Sequence, residues 1–238
     1  PSKTDAFRLW NGEDGTCVEA FGSHLWVVSN TEPPAEGFSD RTEPWATERE
    51  SFKEWMQQAG FESASLLFRG AQGTLPQSLA GPHAWIGSPP TDPYWVIEQG
   101  LQYEVNLSKG VQTGLFLDQA LTRQWIREHA QGQRVLNLFA YTGSLSIAAA
   151  VGGAKSVWTL DLARPAIESA KRGFERNGCL VGDAHRFWVG DAFDWLPQWH
   201  KKGIRFDMIV VDPPAFARSP KGPDRGVFRV EKHWPQLM

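Results

Sequence analysis

The sequence of 238 residues carries a net charge of −3, with 41% apolar and 21% charged residues, as is typical of a globular protein that folds in water. It contains no run of about 18 apolar residues and no apolar signal-peptide core behind the N-terminus, so we expect a cytoplasmic protein without a membrane span. Its two cysteines, Cys17 and Cys179, are too few for a disulfide framework or a zinc site, and we predict no bound metal.

The twelve tryptophans are an unusually large number. Most are predicted to pack in the core and at its edges, because an indole ring buries a large area. The alternative is that one or two exposed rings stack on nucleic-acid bases.

Charge is divided unevenly along the chain. Residues 1–108 hold six Lys and Arg against fifteen Asp and Glu, a difference of −9, and residues 109–238 hold eighteen against twelve, a difference of +6. A basic half suits a partner with a phosphate backbone, although two solvated surfaces of different composition would give the same division.

The first part of the chain, residues 1–108, is predicted to form a small α+β module. Short alternating apolar runs predict strands, a helical repeat predicts one helix with Phe52, Trp55, Met56 and Ala59 on one face, and Gly- and Pro-rich stretches predict loops. The strands are residues 7–10, 17–21, 25–29, 65–68, 95–98 and 103–107, the helix is 47–59, and the loops are 31–44 and 70–93.

In residues 109–238 strands and helices alternate. The predicted strands are 134–139, 157–160, 186–189 and 206–211, the helices are 116–129, 144–151, 165–177 and 193–199, and a further helix after the fourth strand is expected to contain Met238. This alternation implies parallel strands with right-handed crossovers, a doubly wound, Rossmann-like α/β sheet. Ligands of such sheets bind outside the carboxyl ends of the strands, so the residues after each strand are the candidates for a site.

A tight turn follows the first strand, with the sequence Asn137-Leu138-Phe139-Ala140-Tyr141-Thr142-Gly143. Small residues and a glycine let the backbone approach a ligand closely, and the turn presents amides at a helix N-terminus. Because only one Gly is present, the pattern argues against a dinucleotide pyrophosphate site. A strand–helix turn without any ligand is the alternative.

Acidic residues follow the second and third strands. Asp161, with Leu162 after it, lies 18 residues beyond Gly143, close to the spacing at which a carboxylate accepts hydrogen bonds from ribose hydroxyls. Asp191, followed by Ala192, would accept from an adenine amino group. Helix N-capping is the alternative role for both aspartates.

The fourth strand is followed by Asp212-Pro213-Pro214-Ala215-Phe216. Two consecutive prolines fix an extended backbone and remove two donors, so their carbonyls are held toward the cleft as fixed acceptors. Such an edge suits a planar base, on which Phe216 would stack. A proline-ended strand with a core Phe is the alternative.

Together these motifs resemble the class I S-adenosylmethionine (SAM)-dependent methyltransferases, most closely the large-subunit ribosomal RNA methyltransferases in which a small α+β module precedes the catalytic domain. The resemblance is carried by Leu136-Asn137-Leu138-Phe139-Ala140-Tyr141-Thr142-Gly143, by Asp161-Leu162, by Asp212-Pro213-Pro214-Ala215-Phe216-Ala217 and by the upstream Gln112-Thr113-Gly114-Leu115-Phe116-Leu117-Asp118-Gln119. It implies that Asp212, Pro213, Pro214 and Phe216 line the methyl-transfer cleft. It implies SAM as the cofactor, bound by residues from all the motifs: Phe116, Asp118, Gln119, Asn137, Phe139, Tyr141, Thr142, Gly143, Asp161, Leu162, Asp191, Ala192 and Asp212.

The function that the resemblance implies is methyl transfer from SAM to a base of RNA, with the catalytic domain in residues 109–238. The family's sheet has three more strands than the four predicted here, so the domain is expected to be incomplete at its C-terminus. Its fourth strand would then be an open edge that favours self-association, as in a homodimer. The alternatives are a methyltransferase for a small molecule or a protein, and a SAM- or RNA-binding module without turnover. The base and the accepting atom stay open.

Overall fold

The computed structural model describes residues 3–13, 15–29, 46–68, 84–108, 112–179, 181–218 and 227–237. The chain divides into two compact units, Pro1–Leu117 and Asp118–Met238, whereas the sequence pattern placed the boundary after residue 108. The predicted loop at 31–44 and most of the one at 70–93 fall outside the described residues. Within the described ranges, no helix is long and apolar enough to cross a membrane.

Within the residues that the structure describes, the first unit contains a five-stranded sheet, one helix and a separate hairpin. The elements are β1 (Ala6–Asn11), β2 (Cys17–Phe21), β3 (His24–Ser29), α1 (Ala46–Gln58), β4 (Ser63–Phe68), β5 (Ala84–Ile86), β6 (Tyr94–Glu98) and β7 (Leu101–Val105). The sheet has the order β1-β2-β3-β4-β5, and β6 pairs with β7 alone. Among the described strand pairs of this unit, only β3 and β4 are parallel, because the segment containing α1 brings the chain back to the same end of the sheet.

The core of this unit joins the sheet to α1 through five residues that are at most 2% exposed: Ala20, Leu25, Met56, Ala64 and Ile86. Phe52 packs against this cluster, on the helix face predicted for it and Met56. Trp55, predicted on the same face, is 42% exposed and lies beside the rings of Phe52 and Phe61. Strand β5 falls inside a predicted loop, because three residues show no alternation and the strand depends on pairing with β4.

The second unit is a doubly wound α/β sheet. Its elements are α2 (Ala120–His129), β8 (Arg134–Leu138), α3 (Ser144–Val151), β9 (Ser156–Asp161), α4 (Arg164–Arg176), β10 (His185–Val189), α5 (Ala192–Lys201), β11 (Met208–Val211), β12 (Phe216–Arg218), β13 (Val227–Arg229) and α6 (Val230–Leu237). Strands β10-β9-β8-β11 lie in that order and every pairing among them is parallel, so the predicted sheet is confirmed. Helix α2 begins later than predicted, because residues Leu117–Gln119 form a 3₁₀ turn.

Helices cover both faces of this sheet. On one face, Asn137 of β8 and Thr159 of β9 both hydrogen-bond to Ser146 of α3, each over 2.9 Å. The opposite face is aromatic and packs on α5 through four tryptophans, whose ring centroids lie 4.5–5.7 Å apart in the contacting pairs: Trp158, Trp188, Trp195 and Trp199. For these four of the twelve tryptophans, the prediction that they pack in the core is confirmed.

The segment after β11 departs from the predicted elements. The expected helix is present as α6, but strands β12 and β13 precede it and form an antiparallel ladder. Each of these strands has three residues, too few for a pattern that the sequence alone would reveal.

A buried histidine fixes the pairing of β3 with β4 in the first unit. His24 is 1% exposed, and its ring nitrogens lie 2.6 Å from Ser63 Oγ and 3.1 Å from Ser65 Oγ. Burial lowers the pKa of His24 from 6.5 to about 4, because the charged imidazolium would lose its hydration. The native state therefore holds His24 neutral at physiological pH.

We predict that His24→Gln flattens the acid-side loss of stability. Between pH 6.5 and about 4 the unfolded chain binds a proton at His24 that the native state does not. The stability that depends on a neutral His24 is therefore complete above pH 6.5 and is lost as the pH falls toward 4. The full loss is at most about 3 kcal/mol. Urea denaturation of both proteins at pH 7.5 and 4.5 measures it. Equal pH dependence in the two proteins would show that His24 is not responsible.

Candidate functional site

The residues predicted to form a site follow four neighbouring strands at one edge of the sheet. Because the strands are parallel, the ends of β8, β9, β10 and β11 lie side by side, with Leu138 paired to Leu160 and to Val211, and Asp161 paired to Val189. The direction of winding changes between β8 and β11, and the loops after these two strands diverge there. This is where ligands bind in doubly wound sheets.

The loop after β8 has an uncommon backbone. Phe139, Tyr141 and Gly143 have φ values of +55°, +50° and +76°, all in the left-handed region. This region is rare for aromatic residues, and residues held in it cluster at functional sites. Gly143 is required for space as well, because a Cβ there would lie 2.7 Å from the Cβ of Ala170.

Asp161 holds this loop in place. Its Oδ2 accepts a hydrogen bond from the Tyr141 amide and its Oδ1 accepts one from the Ala163 amide, each over 2.8 Å. Ala163, and not Asp161, is the N-cap of α4, so the aspartate makes a turn before the helix and also links β9 to the loop after β8. Burial, followed by the charge of Asp161, raises the pKa of the half-buried Tyr141 side chain.

The Asp161 carboxylate has the acceptor capacity that a ribose diol needs. A carboxylate has about four lone-pair sites, and the two amides of Tyr141 and Ala163 occupy one on each oxygen. One site on each oxygen is therefore left for two hydroxyl donors. The residues present at this edge thus fit a nucleoside whose ribose lies over the end of β9.

Asp191 performs the capping role that was the alternative to adenine binding. It is the N-cap of α5, and its Oδ1 accepts from the Phe193 amide over 2.9 Å. Ala192 is 4% exposed and lies in the aromatic core. Before them, Gly190 packs so closely that a Cβ would lie 2.5 Å from Trp195 Nε1. Contacts of Asp191 and Ala192 with an adenine ring stay a prediction.

Asn137 lies beneath the loop and not at its surface. Its side chain is 1% exposed and donates to Ser146 Oγ, and within the described residues no donor reaches its Oδ1. Phe139 is half-buried and its ring centroid lies 5.5 Å from that of Phe228, which β13 brings to this edge. Thr142 is half-buried, and Leu162 is 42% exposed beside Asp161.

The 3₁₀ turn and the end of β11 meet at a pair of carboxylates. Gln119 Nε2 donates to Asp212 Oδ2 over 3.3 Å. Burial, together with the nearby charge of Asp118, raises the pKa of Asp212 above its ordinary value. The structure thus brings together Asp118, Gln119 and Asp212, which the sequence assigned to one pocket from motifs far apart in the chain.

The other predicted residues are placed as follows. Pro213 is half-buried and Pro214 is exposed, directly after Asp212. Phe116 belongs to the first unit and is 45% exposed. The backbone of Phe216 begins β12, but its side chain lies outside the described part of the structure, so its stacking on a base stays a prediction.

One aromatic contact at this edge was missed by the sequence analysis. Phe228 is 3% exposed, and its ring lies 5.5 Å from Phe139 and 5.9 Å from Phe193. It follows a stretch outside the described residues, and no local periodicity marks it. Only the β12–β13 pairing brings it to the strand ends.

The chain belongs to the family of S-adenosylmethionine-dependent methyltransferases, since the family model matches residues 72–238. This confirms the resemblance drawn from the motifs. Two solved structures share the fold over 100% of this chain and 57% of their own. One is SMU.776, a putative methyltransferase complexed with SAH, at a TM-score of 0.79 and 27% identity. The other is a putative SAM-dependent methyltransferase from Streptococcus mutans, at a TM-score of 0.76 and 26% identity.

Two named relatives are similar over somewhat more than half of the chain's length. Ribosomal RNA large subunit methyltransferase K of Neisseria meningitidis is 45% identical over 133 residues, which are 56% of this chain and 37% of that protein. Putative ribosomal RNA large subunit methyltransferase YwbD of Bacillus subtilis is 43% identical over 130 residues, 54% of this chain and 33% of that protein. The alignments therefore span well under half the length of these relatives.

We predict that Asp161→Ala weakens SAM binding at least about tenfold, because it removes the predicted ribose acceptor and also the carboxylate that accepts from the Tyr141 amide. Calorimetric titration with SAM measures the affinity. Asp183→Ala is the matched control, since Asp183 is an exposed carboxylate in the loop before β10 that forms a salt bridge with Arg186. Affinity unchanged in Asp161→Ala would remove Asp161 from the site.

Proposed function

We propose that this protein transfers the methyl group of SAM to a base of RNA, with ribosomal RNA as the favoured substrate. The observation that carries the proposal is the strained loop after β8, tied by its Tyr141 amide to the carboxylate of Asp161. The relatives also support the proposal, because both of the proteins named above carry the name of large-subunit ribosomal RNA methyltransferases, one of them as putative. We further propose that residues 109–238 form the catalytic domain and residues 1–108 a small α+β module.

The cofactor side of the site is assigned to the ends of β8, β9 and β10. SAM supplies a methyl group activated by its bond to a sulfonium sulfur. Asp161 would accept from both ribose hydroxyls, and Leu162, exposed beside it, would cover an apolar part of the nucleoside. The amides of the loop after β8 open a helix N-terminus, where an anionic group such as a carboxylate is stabilised. Asp191 and Ala192 would flank the adenine.

The acceptor side is assigned to the end of β11. Methyl transfer to a nitrogen needs the base held in line with the sulfonium, and positioning alone supplies much of such a rate enhancement. Asp212, oriented by Gln119, would accept a hydrogen bond from the base, and Pro213 and Pro214 would hold their carbonyls beside it. Asp118 would line the same pocket. Transfer to carbon 5 of a pyrimidine would instead need a thiolate nucleophile.

A different substrate class is the alternative. The acidic first part of the chain, with a charge difference of −9, would suit a small-molecule or protein substrate better than RNA. Incubating the chain with labelled SAM and, separately, large-subunit ribosomal RNA, a protein extract and a metabolite extract tests this. We expect label in the RNA. Label only in protein or metabolites would replace the proposal, and SAM binding without any transfer would indicate a non-catalytic module.

We also propose a cytoplasmic protein, with a homodimer as the assembly to test by sedimentation.

We predict that Asp212→Asn lowers the rate of methyl transfer by about 10²-fold and leaves SAM affinity within about threefold. In the native protein the raised pKa of Asp212 means that the carboxylate is lost at a higher pH than an ordinary aspartate, so activity falls on the acid side as the pH approaches that pKa. The variant would lack this acid limb. Single-turnover rates from pH 4.5 to 8 measure both effects.

The matched control for this prediction is Asp207→Asn, which changes a carboxylate at the opposite edge of the same sheet, where Asp207 pairs with Arg134. We expect the control to keep the wild-type rate and acid limb. An Asp212→Asn enzyme with wild-type turnover would exclude a role for this carboxylate in transfer.

A further inference from the structure

Four cations lie at the edge of the sheet opposite the candidate site. We call this surface the basic edge, and it consists of Lys155, Lys201, Lys202 and Arg205. Lys155 directly precedes β9, and Arg205 lies just before β11. Lys201 is the last residue of α5 and Lys202 is its C-cap. Because the β8 residues Arg134 and Val135 pair with Ser156 and Met208, the starts of the three strands are adjacent.

These cations are solvent-exposed and have no acidic partner of their own. All four are exposed, and within the described chain none of them forms a salt bridge. Asp207, two residues after Arg205, is engaged by Arg134 through hydrogen bonds of 2.8, 3.0 and 2.9 Å. This engagement, with a smaller effect of Lys155, lowers the pKa of Asp207 to about 2. Asp183, which precedes β10 at the same edge, pairs with Arg186 over 3.4 Å.

Local helix chemistry explains only part of this charge. A cation in the last turn of α5 is stabilised by the negative end of the helix dipole, which accounts for Lys201. Lys155 and Arg205 lie outside helices and gain nothing from it. Four cations on adjacent segments repel one another, and an anionic partner would relieve that repulsion.

We propose that the basic edge is a second contact surface for the RNA substrate, which binds its phosphate backbone away from the methyl-transfer cleft. This inference rests on the proposed function. Strands β8 and β11 separate the two edges, a distance of roughly 15 Å for four or five residues at about 3.3 Å each. A single nucleotide in the cleft does not reach across that distance, whereas a folded RNA does. The basic edge therefore selects for structured RNA over small substrates and contributes affinity without reading a base.

The test is a triple substitution, Lys201→Gln with Lys202→Gln and Arg205→Gln, assayed for binding to a fragment of large-subunit ribosomal RNA by fluorescence anisotropy at several salt concentrations. Each lost phosphate contact lowers the slope of log affinity against log salt by about 0.7–0.9, so we expect a decrease of about 2–3 and at least about tenfold weaker binding at low salt. The KM for this RNA rises accordingly. Turnover at saturating RNA, SAM affinity and transfer to a short oligonucleotide stay unchanged.

The control carries the same change of net charge in the first unit, as Lys3→Gln with Arg8→Gln and Lys53→Gln. We expect its salt slope to match the wild type. Equal losses in the two triple variants would show a general charge effect and overturn the proposal, as would an unchanged slope in the first variant. An unchanged slope combined with altered sedimentation would mean that the basic edge meets the acidic part of a second copy.

The same assays separate this inference from the proposed function. A wild-type chain that binds the RNA without methylating it contradicts the proposed function, while the salt slope still decides the role of the basic edge. A wild-type chain that does not bind the RNA contradicts both. Methylation of the RNA with equal slopes in the wild type and the Lys201, Lys202 and Arg205 variant overturns only the inference about the basic edge.

Discussion

The hydrogen bond from the Tyr141 amide to the Asp161 carboxylate organises the candidate site, because it joins the loop after β8 to the end of β9. The loop holds Phe139 and Tyr141 in the left-handed region, which costs roughly 1–2 kcal/mol at each non-glycine residue. A hydrogen bond to a charged group contributes about 1.5–3 kcal/mol. The aspartate thus offsets a large part of the strain, and one acceptor site on each of its oxygens is left over. Support of the loop and the proposed recognition of a ribose would therefore depend on one side chain.

Packing on both faces of the sheet supplies the rest of the support. On one face, the buried hydroxyl of Ser146 receives hydrogen bonds from Asn137 and Thr159, which fixes α3 directly beneath the strained loop. On the other face, the four clustered tryptophans fix α5, and with it the capping carboxylate of Asp191. Phe228 connects the loop after β8 with α5, since its ring lies against Phe139 in that loop and against Phe193 in α5. A rigid first layer of contacts is what positioning a methyl donor and an acceptor requires.

The two edges of this sheet have opposite charge. Carboxylates from Asp118, Asp161, Asp191 and Asp212 gather near the strand ends, where a cationic sulfonium and the hydroxyl and amino donors of a nucleoside would be stabilised. Cations gather where the strands begin, with Asp207 neutralised by Arg134. The overall charge of −3 conceals this separation, which would make the proposed RNA substrate compatible with an acidic protein.

The sequence by itself determined the α/β class of the second unit, the order of its strands and helices along the chain, and most of the residues at the strand ends. These features follow from apolar periodicity and from turn residues, both of which act over a few neighbouring positions. For Asp161 the sequence offered two roles: ribose binding stays a prediction, and helix capping was wrong, because Ala163 is the N-cap of α4.

Only the tertiary structure decided which alternatives applied and which distant residues meet. It showed Asp191 capping α5, Asn137 buried under α3, and Gln119 bonded to Asp212, which lies 93 residues further along the chain. It also revealed β5, β12 and β13, whose three-residue strands depend on partners and not on their own pattern. The physical reason is the same in each case: a capping bond, a buried amide and a short strand take their free energy from groups that are remote in sequence, so no local pattern encodes them.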